Sequence, residues 1–126
     1  MIPVFIVVMP SHVLLFRYST GMSKVLEVKG KNGVVVGYGV RCPACDAEDQ
    51  GHMHLFYKRT ADGKGWTFDG NYESPTFSPS MLAQCHYGPE QKLHRCHSFV
   101  KNGSIQYLGD CTHSMKGQTV VLPDWE

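Results

Sequence analysis

The stretch FVKNGSIQY, residues 99–107, decides the fold of this chain. Asn102-Gly103 stands between two runs in which apolar and polar residues alternate, and this arrangement is the strongest short-range signal for a β-hairpin with a two-residue turn. Such a turn pairs Lys101 with Ser104 and fixes the register of both strands. The sequence therefore predicts an antiparallel hairpin here, and it also predicts which face each side chain occupies.

The same register can be carried outward from the turn, towards two cysteines and a histidine. It places Arg95 opposite Asp110. Because side chains alternate between the two faces of a strand, Cys96 and Cys111 then point to one side of the hairpin. His97 and Asp110 point to the other side as diagonal neighbours, about 7–8 Å apart at Cα, a separation that long side chains can bridge. We therefore expect a pair of cysteines on one face and an imidazole–carboxylate pair on the other.

The rest of the chain is typical of short strands separated by turns. Its 126 residues fit one domain, and we find no segment of about 12 residues with a sustained helical period. The polar run 83–94 is predicted to be a loop. We predict a mainly β fold, a small single domain of short antiparallel strands and hairpins with a structural zinc site. Besides the hairpin, strand-like runs lie at 24–29, 33–41, 53–57, 66–68 and 76–82.

The first 21 residues differ in composition from the remainder. They are mostly apolar, but Pro3 and Pro10 interrupt the run of about 20 apolar residues that a membrane helix needs. They also lack the basic start and the small-residue cleavage site of a signal peptide. A packed N-terminal strand is the alternative, but we predict that residues 1–21 are an N-terminal extension and that Met22 begins the zinc-binding β domain, residues 22–126. We expect no membrane span and a cytoplasmic location, in a host cytoplasm if the protein is phage-encoded.

Charge and cysteine content narrow the class of protein further. The 12 basic and 11 acidic residues leave a net charge of +1, and the basic residues are scattered, so we favour no nucleic-acid partner. A protein or peptide partner or substrate is expected instead, and the sequence makes no prediction of oligomeric state. Five cysteines, an odd number, together with seven histidines favour a metal site in a reducing compartment over a complete disulfide framework.

Cys42-Pro-Ala-Cys45 is the most specific motif in the chain. Two residues between the cysteines let both thiolates bind one ion, and Zn²⁺ then needs two more nitrogen or sulfur ligands to complete a tetrahedron. We predict that His54 and Cys96 are these ligands, with His52 as the alternative to His54. A thioredoxin-like redox pair is the competing interpretation, but no βαβ pattern surrounds the motif. Four further residues are reserve ligands: Cys85, His86, His94 and Cys111.

A second group of residues could carry hydrolytic chemistry. The segment SPTFSPS, residues 74–80, offers hydroxyl groups on a proline-stiffened stretch, although such a stretch is also typical of turns. Ser78 or Ser80 would become a nucleophile only with a histidine within hydrogen-bond reach. His97 is the candidate base, because a carboxylate such as that of Asp110 orients an imidazole and raises its basicity. The rival nucleophile and base are Cys111 and His113.

Four stretches of the chain resemble a widespread family of small phage and prophage proteins. The span from Cys42 to Pro123 in which they lie is about two-thirds of the chain, and the family begins near the position of Met22. Its members are often labelled "ammonia monooxygenase", a label that this sequence does not support because it lacks a membrane-length apolar run. The matching stretches are CPAC (42–45), GWTFDGNYESPTFSPSML (65–82), CHSFVKNGSIQYLGDCTH (96–113) and GQTVVLP (117–123).

The chain is also similar, more distantly, to the peptidase component of bacterial ubiquitin-like conjugation operons. Those relatives have a cysteine-rich knuckle, a Pro-Ser-Ile segment and a Cys/Ser-His-Phe strand ahead of a glycine turn. The resemblance implies that Pro79-Ser80-Met81 corresponds to the Pro-Ser-Ile segment and His97 to the histidine, so that Ser80 and His97 form a hydrolase site beside a structural zinc. This sequence differs in that a histidine replaces one knuckle cysteine and in the long spacing between Cys45 and His54.

The residues support three hypotheses for function. The first is a zinc-binding phage or prophage accessory protein that hydrolyses peptide or ester bonds, with Ser80 as nucleophile, His97 as general base and Asp110 as orienting acid. The second is a non-enzymatic counter-defence module that zinc stabilises and that binds a host protein through an aromatic surface. The third makes the zinc itself catalytic, which requires three protein ligands and a water. The aromatic surface of the second hypothesis would be Trp66, Phe68 and Tyr72.

Overall fold

The computed structural model describes residues 5–8, 14–17 and 23–125. Within them the chain forms eleven strands and one short helix, which confirms the prediction of a mainly β fold with antiparallel strands. The elements are β1 (Phe5–Val8), β2 (Leu14–Arg17), β3 (Leu26–Lys29), β4 (Val35–Arg41), α1 (Pro43–Ala47), β5 (Met53–Tyr57), β6 (Thr67–Phe68), β7 (Phe77–Ser78), β8 (Met81–Tyr87), β9 (Lys92–Lys101), β10 (Ser104–Tyr107) and β11 (Thr119–Val121).

Two sheets contribute to one core. The first contains five strands in the order β1-β2-β3-β4-β5, and the second contains four in the order β11-β10-β9-β8, while β6 and β7 form a separate two-stranded ribbon. Val25, Val40 and Phe56 from the side of the first sheet, and Val100 and Ile105 from the second, are nearly inaccessible to solvent and belong to one cluster. Burial of these apolar groups is the main stabilising term of such a small domain.

The β9–β10 hairpin has the turn and the register that the sequence predicts. Asn102 and Gly103 have φ angles of 49° and 79°, which a two-residue type I′ turn requires at both central positions. Lys101 pairs with Ser104, and the pairing continues in the same register as far as Ser98 opposite Tyr107. Two left-handed residues at the turn therefore fix the alternation of faces along the whole of β9.

Beyond Leu108 the predicted register is wrong. The Cys111 N–H donates to the Leu108 carbonyl oxygen at 3.2 Å and closes a tight turn. As a result the Thr112 N–H, and not Asp110, lies opposite Arg95, with a hydrogen bond of 3.0 Å to the Arg95 carbonyl. Two residues of this turn are left out of the pairing with β9. The turn lies too far from Asn102-Gly103 for the geometry of that hairpin turn to fix its register.

Residues 83–94 are not the loop that their polarity predicts. Strands β8 and β9 extend through most of this run and pair without interruption from Met81↔Ser98 to Tyr87↔Lys92. The run contains the polar side chains Gln84 and His86 because β8 lies at the edge of its sheet, where most positions from 82 to 86 are exposed.

Residues 1–21 contain the two N-terminal strands. β1 pairs with β2, and β2 pairs with β3 in an antiparallel register that includes Leu14↔Lys29. The predicted boundary between an extension of residues 1–21 and a domain of residues 22–126 falls outside the described residues, and it stays a prediction. Across the parts of the chain that are described, no helix has the length and apolar character needed to span a membrane.

Candidate functional site

The Cys42-Pro-Ala-Cys45 motif forms the beginning of helix α1. Cys42 is the N-cap residue in an extended conformation, Pro43 occupies the first turn, and the Cys45 N–H donates to Cys42 Sγ at 3.4 Å. Proline suits this position because it has no N–H to leave unpaired there. The Cys42 N–H donates to the carbonyl oxygen of His52 at 2.9 Å, which attaches the motif to the start of β5.

Four side chains from three parts of the chain converge at this motif. The ligand atoms of Cys42, Cys45, His54 and Cys96 all lie within 4.8 Å of one another, and all four residues are buried. Cys42 Sγ lies 3.8 Å from Cys96 Sγ, and His54 Nε2 lies 3.7 Å from Cys45 Sγ and 3.5 Å from Cys96 Sγ. A tetrahedral zinc ion would separate two sulfurs by about 3.8 Å and a sulfur from a nitrogen by about 3.6 Å. The donor set therefore fits a zinc-sized ion, and we call these four residues the metal cluster.

Side-chain hydrogen bonds within the metal cluster shift the pKa values of its cysteines in opposite directions. Hydrogen bonds from Cys45 and from Cys96 hold the pKa of Cys42 well below its usual range, whereas the pKa of Cys96 is raised by its hydrogen bonds to Cys42 and Cys45. Burial, and then the negative charge of Cys42, raise the pKa of Tyr107. The Tyr107 hydroxyl oxygen lies 3.4 Å from Cys42 Sγ and accepts from the Ala44 N–H at 3.3 Å.

Two histidines near the metal cluster lie outside it. His52, the alternative to His54, is exposed, and its Nδ1 lies 2.8 Å from Asp46 Oδ1. His94 is buried, with Nε2 at 3.3 Å from Cys45 Sγ and Nδ1 at 2.9 Å from Glu48 Oε1. A histidine held in this way can donate to a sulfur and orient it, as supporting residues around metal sites do. The sequence named His94 only as a reserve ligand, and its pairing with Glu48 carries no local sequence signal.

The remaining reserve ligands lie in two different environments. Cys85 and His86 are exposed on β8, and Cys85 Sγ lies 3.5 Å from Gln50 Oε1. Cys111 and His113 are buried and form a second group with Cys96, in which the ligand atoms also lie within 4.8 Å of one another. Burial lowers the pKa of His113, and its Nε2 has no hydrogen-bond partner among the described residues.

The structure brings together the serine, histidine and aspartate named from the sequence. Ser80 Oγ lies 3.2 Å from His97 Nε2. On the other side of the imidazole, His97 Nδ1 lies 3.0 Å from Asp110 Oδ2 and 3.2 Å from Oδ1. The side chains of His97 and Asp110 are 28% and 47% exposed. A hydroxyl, an imidazole and a carboxylate in this order can activate the hydroxyl oxygen for nucleophilic attack.

Contacts to their main-chain atoms position both Ser80 and His97. Ser80 lies between β7 and β8, and the Trp66 indole N–H donates to its carbonyl oxygen at 3.2 Å. His97 lies within β9, where its N–H donates to Cys111 Sγ and its carbonyl oxygen accepts from the Cys111 thiol, both at 3.2 Å. The pKa of Cys111 is raised, mainly by burial, so this thiol is a structural contact of His97 and a poor nucleophile.

Comparison with known protein families bears directly on this geometry. A family model described as the bacterial ubiquitination-like system serine protease (BubE) matches residues 17–108, which is more than half of the chain. The chain belongs to the BubE family. The similarity to a peptidase component of ubiquitin-like conjugation systems, inferred from the Pro-Ser and Cys-His motifs, is thereby confirmed. No curated protein and no solved structure gives a significant match.

The match to the BubE family includes every residue of the metal cluster, Ser80 and His97. It ends two residues before Asp110, so the assignment of this aspartate depends on its distance to His97. Trp66, which bonds to the Ser80 carbonyl oxygen, also lines a cavity of about 370 Å³.

Proposed function

We propose that this BubE-family chain is a serine-type peptidase that acts on a protein substrate of a bacterial ubiquitination-like system. Ser80 is the nucleophile, His97 the general base and Asp110 the residue that orients the base. The distance of 3.2 Å between Ser80 Oγ and His97 Nε2 carries the proposal, because proton transfer requires hydrogen-bond reach. The family description supports the peptidase class and a protein substrate.

The hydrogen bonds define the direction of proton transfer. The Asp110 carboxylate accepts the Nδ1–H of His97, which leaves a lone pair on Nε2 facing the Ser80 hydroxyl. As Ser80 Oγ attacks the scissile carbonyl carbon, Nε2 takes the hydroxyl proton and then passes it to the nitrogen of the leaving amine. A water attacks the acyl-serine ester, again losing its proton to Nε2, which returns that proton to Ser80 Oγ as the acid product leaves.

The metal cluster has a structural role in this proposal. Four protein ligands would close the coordination of a bound zinc, whereas a catalytic zinc needs an open position. The ion would supply no chemistry to the reaction, but it would fix Cys96 and thereby β9. Cys96 is fully buried and the next residue, His97, points to the opposite face. The metal cluster therefore holds the strand on one face while proton transfer occurs on the other.

Ser80→Ala tests the proposal, with Ser78→Ala as a matched control on the same segment. Ser80→Ala is expected to abolish labelling by a fluorophosphonate probe and to lower ester hydrolysis by about a thousandfold or more. Ser78→Ala should keep both, and both variants should retain the zinc content of the parent. Labelling that persists in Ser80→Ala would overturn the assignment of Ser80 as the nucleophile, and a parent protein that neither labels nor hydrolyses the ester would favour the protein-interaction module.

A further inference from the structure

Strand β8 presents main-chain groups that its own sheet does not use. Leu108 donates its N–H to the His97 carbonyl oxygen, so that His97 directs its main-chain groups towards β10. Its neighbours Cys96 and Ser98 therefore direct theirs towards β8. In β8 the two residues that lie opposite Cys96 and Ser98 form main-chain hydrogen bonds with β9. The alternate residues of β8 therefore direct their N–H and C=O groups away from the sheet. Leu82 and Gln84 are the outward residues nearest to Ser80.

This edge lacks the features that usually protect an exposed strand. β8 has seven residues, MLAQCHY, with no Lys, Arg, Asp, Glu or Pro, and its register with β9 contains no bulge. No backbone hydrogen bond to Leu82 or Gln84 comes from elsewhere in the described chain. Proteins commonly shorten, charge or cover such edges because an open edge pairs with another chain. At the opposite edge of the sheet, β11 has only three residues.

We propose that the free edge of β8 binds the extended main chain of the polypeptide substrate and leads it to Ser80. This inference rests on the proposed peptidase function. At a rise of about 3.3 Å per residue, Leu82 lies about 7 Å and Gln84 about 13 Å along the strand from Ser80. A peptide added to this edge would thus place its scissile bond within a few residues of its first main-chain hydrogen bonds.

The outer face beside this edge provides contacts for the side chains of such a peptide. Leu82 lies directly opposite His97 on β9. Leu82 is 54% exposed, and Phe99, two residues along β9 on the same face, is 37% exposed. In strand addition the main-chain bonds supply sequence-independent affinity, and alternate side chains supply preference. The substrate class is therefore an unfolded or extended segment, with an apolar side chain next to Leu82.

Gln84→Pro tests the edge, because proline removes an outward N–H and leaves the main-chain bonds between β8 and β9 intact; the one bond to β9 that it removes is from Arg95 Nε–H to Gln84 Oε1. Val121→Pro is the matched control, since Val121 also directs its N–H outward, on the other edge of the sheet. The readout is the ratio of two rates: cleavage of unfolded, fluorescently labelled casein, which can pair with an edge, and hydrolysis of p-nitrophenyl acetate, which cannot. Gln84→Pro should lower this ratio by about tenfold, and Val121→Pro should leave it unchanged.

The outcomes separate the two proposals. An unchanged ratio in Gln84→Pro, or a parent protein that hydrolyses the ester but not unfolded casein, would overturn the inference about β8 and leave the role of Ser80 standing. Loss of neither activity in Ser80→Ala would overturn the proposed function itself. Sedimentation that shows a dimer in the parent and a monomer in Gln84→Pro would identify a second copy as the occupant and refute the substrate assignment.

Discussion

Asp110→Asn removes the negative charge that faces His97 and keeps the size of the side chain. The carboxylate oxygen lies 3.0 Å from His97 Nδ1. A charge pair at this separation is worth about 1.4 kcal/mol in bulk water and about 2.8 kcal/mol at an effective dielectric constant of about 40. Such values suit this pair because the Asp110 side chain is 47% exposed. The imidazolium that forms during attack would lose this stabilisation, so the rate should fall by about 10- to 100-fold.

The second-order rate constant for fluorophosphonate labelling of Ser80 measures this effect at neutral pH. Asp46→Asn is the control, because Asp46 Oδ1 lies 2.8 Å from Nδ1 of the exposed His52 and forms the same type of pair away from Ser80. The control should label at the parent rate. A fall of less than about threefold in Asp110→Asn would refute its orienting role. A fall of about 10⁴-fold, as in proteases with a buried triad aspartate, would refute the argument from exposure.

Two further predictions concern stability. Removal of the metal by a chelator should unfold the domain, because the binding energy of a structural zinc, about 10–16 kcal/mol, is comparable to the whole stability of a small domain. A thermal melt followed by circular dichroism, with and without chelator, measures this effect. An unchanged melting temperature would count against a structural metal. His113 is buried and its pKa is lowered in the folded protein. As pH falls below about 6.5, the His113 imidazole is therefore protonated more readily in the unfolded chain than in the folded one. Stability should therefore fall below that pH, and urea unfolding of His113→Phe should show a smaller loss than the parent.

The parts of the fold that local chemistry controls could be predicted from the sequence. The left-handed turn at Asn102-Gly103 fixes a register over several residues, and this register was sufficient to place Cys96 and His97 on opposite faces of β9. It failed at the turn after Leu108, where contacts between Arg95 and the next segment decide the path. Those contacts are non-local, and the residue types of the turn do not predict them.

The metal cluster shows the same division between local and non-local information. Spacing alone identified Cys42 and Cys45, because both thiolates belong to one helical turn. The choice between His52 and His54 depends on where β5 begins: His52 precedes the strand and is exposed, whereas His54 lies within it and is buried. The length of β8 was missed because a polar edge strand lacks the apolar alternation by which strands are recognised.

Cys96 and His97 are consecutive residues that face opposite sides of β9, and this has a consequence for how the chain can change. Deletion of one residue between His97 and Asn102 would exchange the two faces, placing the imidazole in the core and the thiol at the surface. Metal retention and hydrolysis would be lost together. A change in the register of β9 would therefore affect metal binding and hydrolysis together. In any preparation, the fraction of chains that hold the metal should equal the fraction that have an active site.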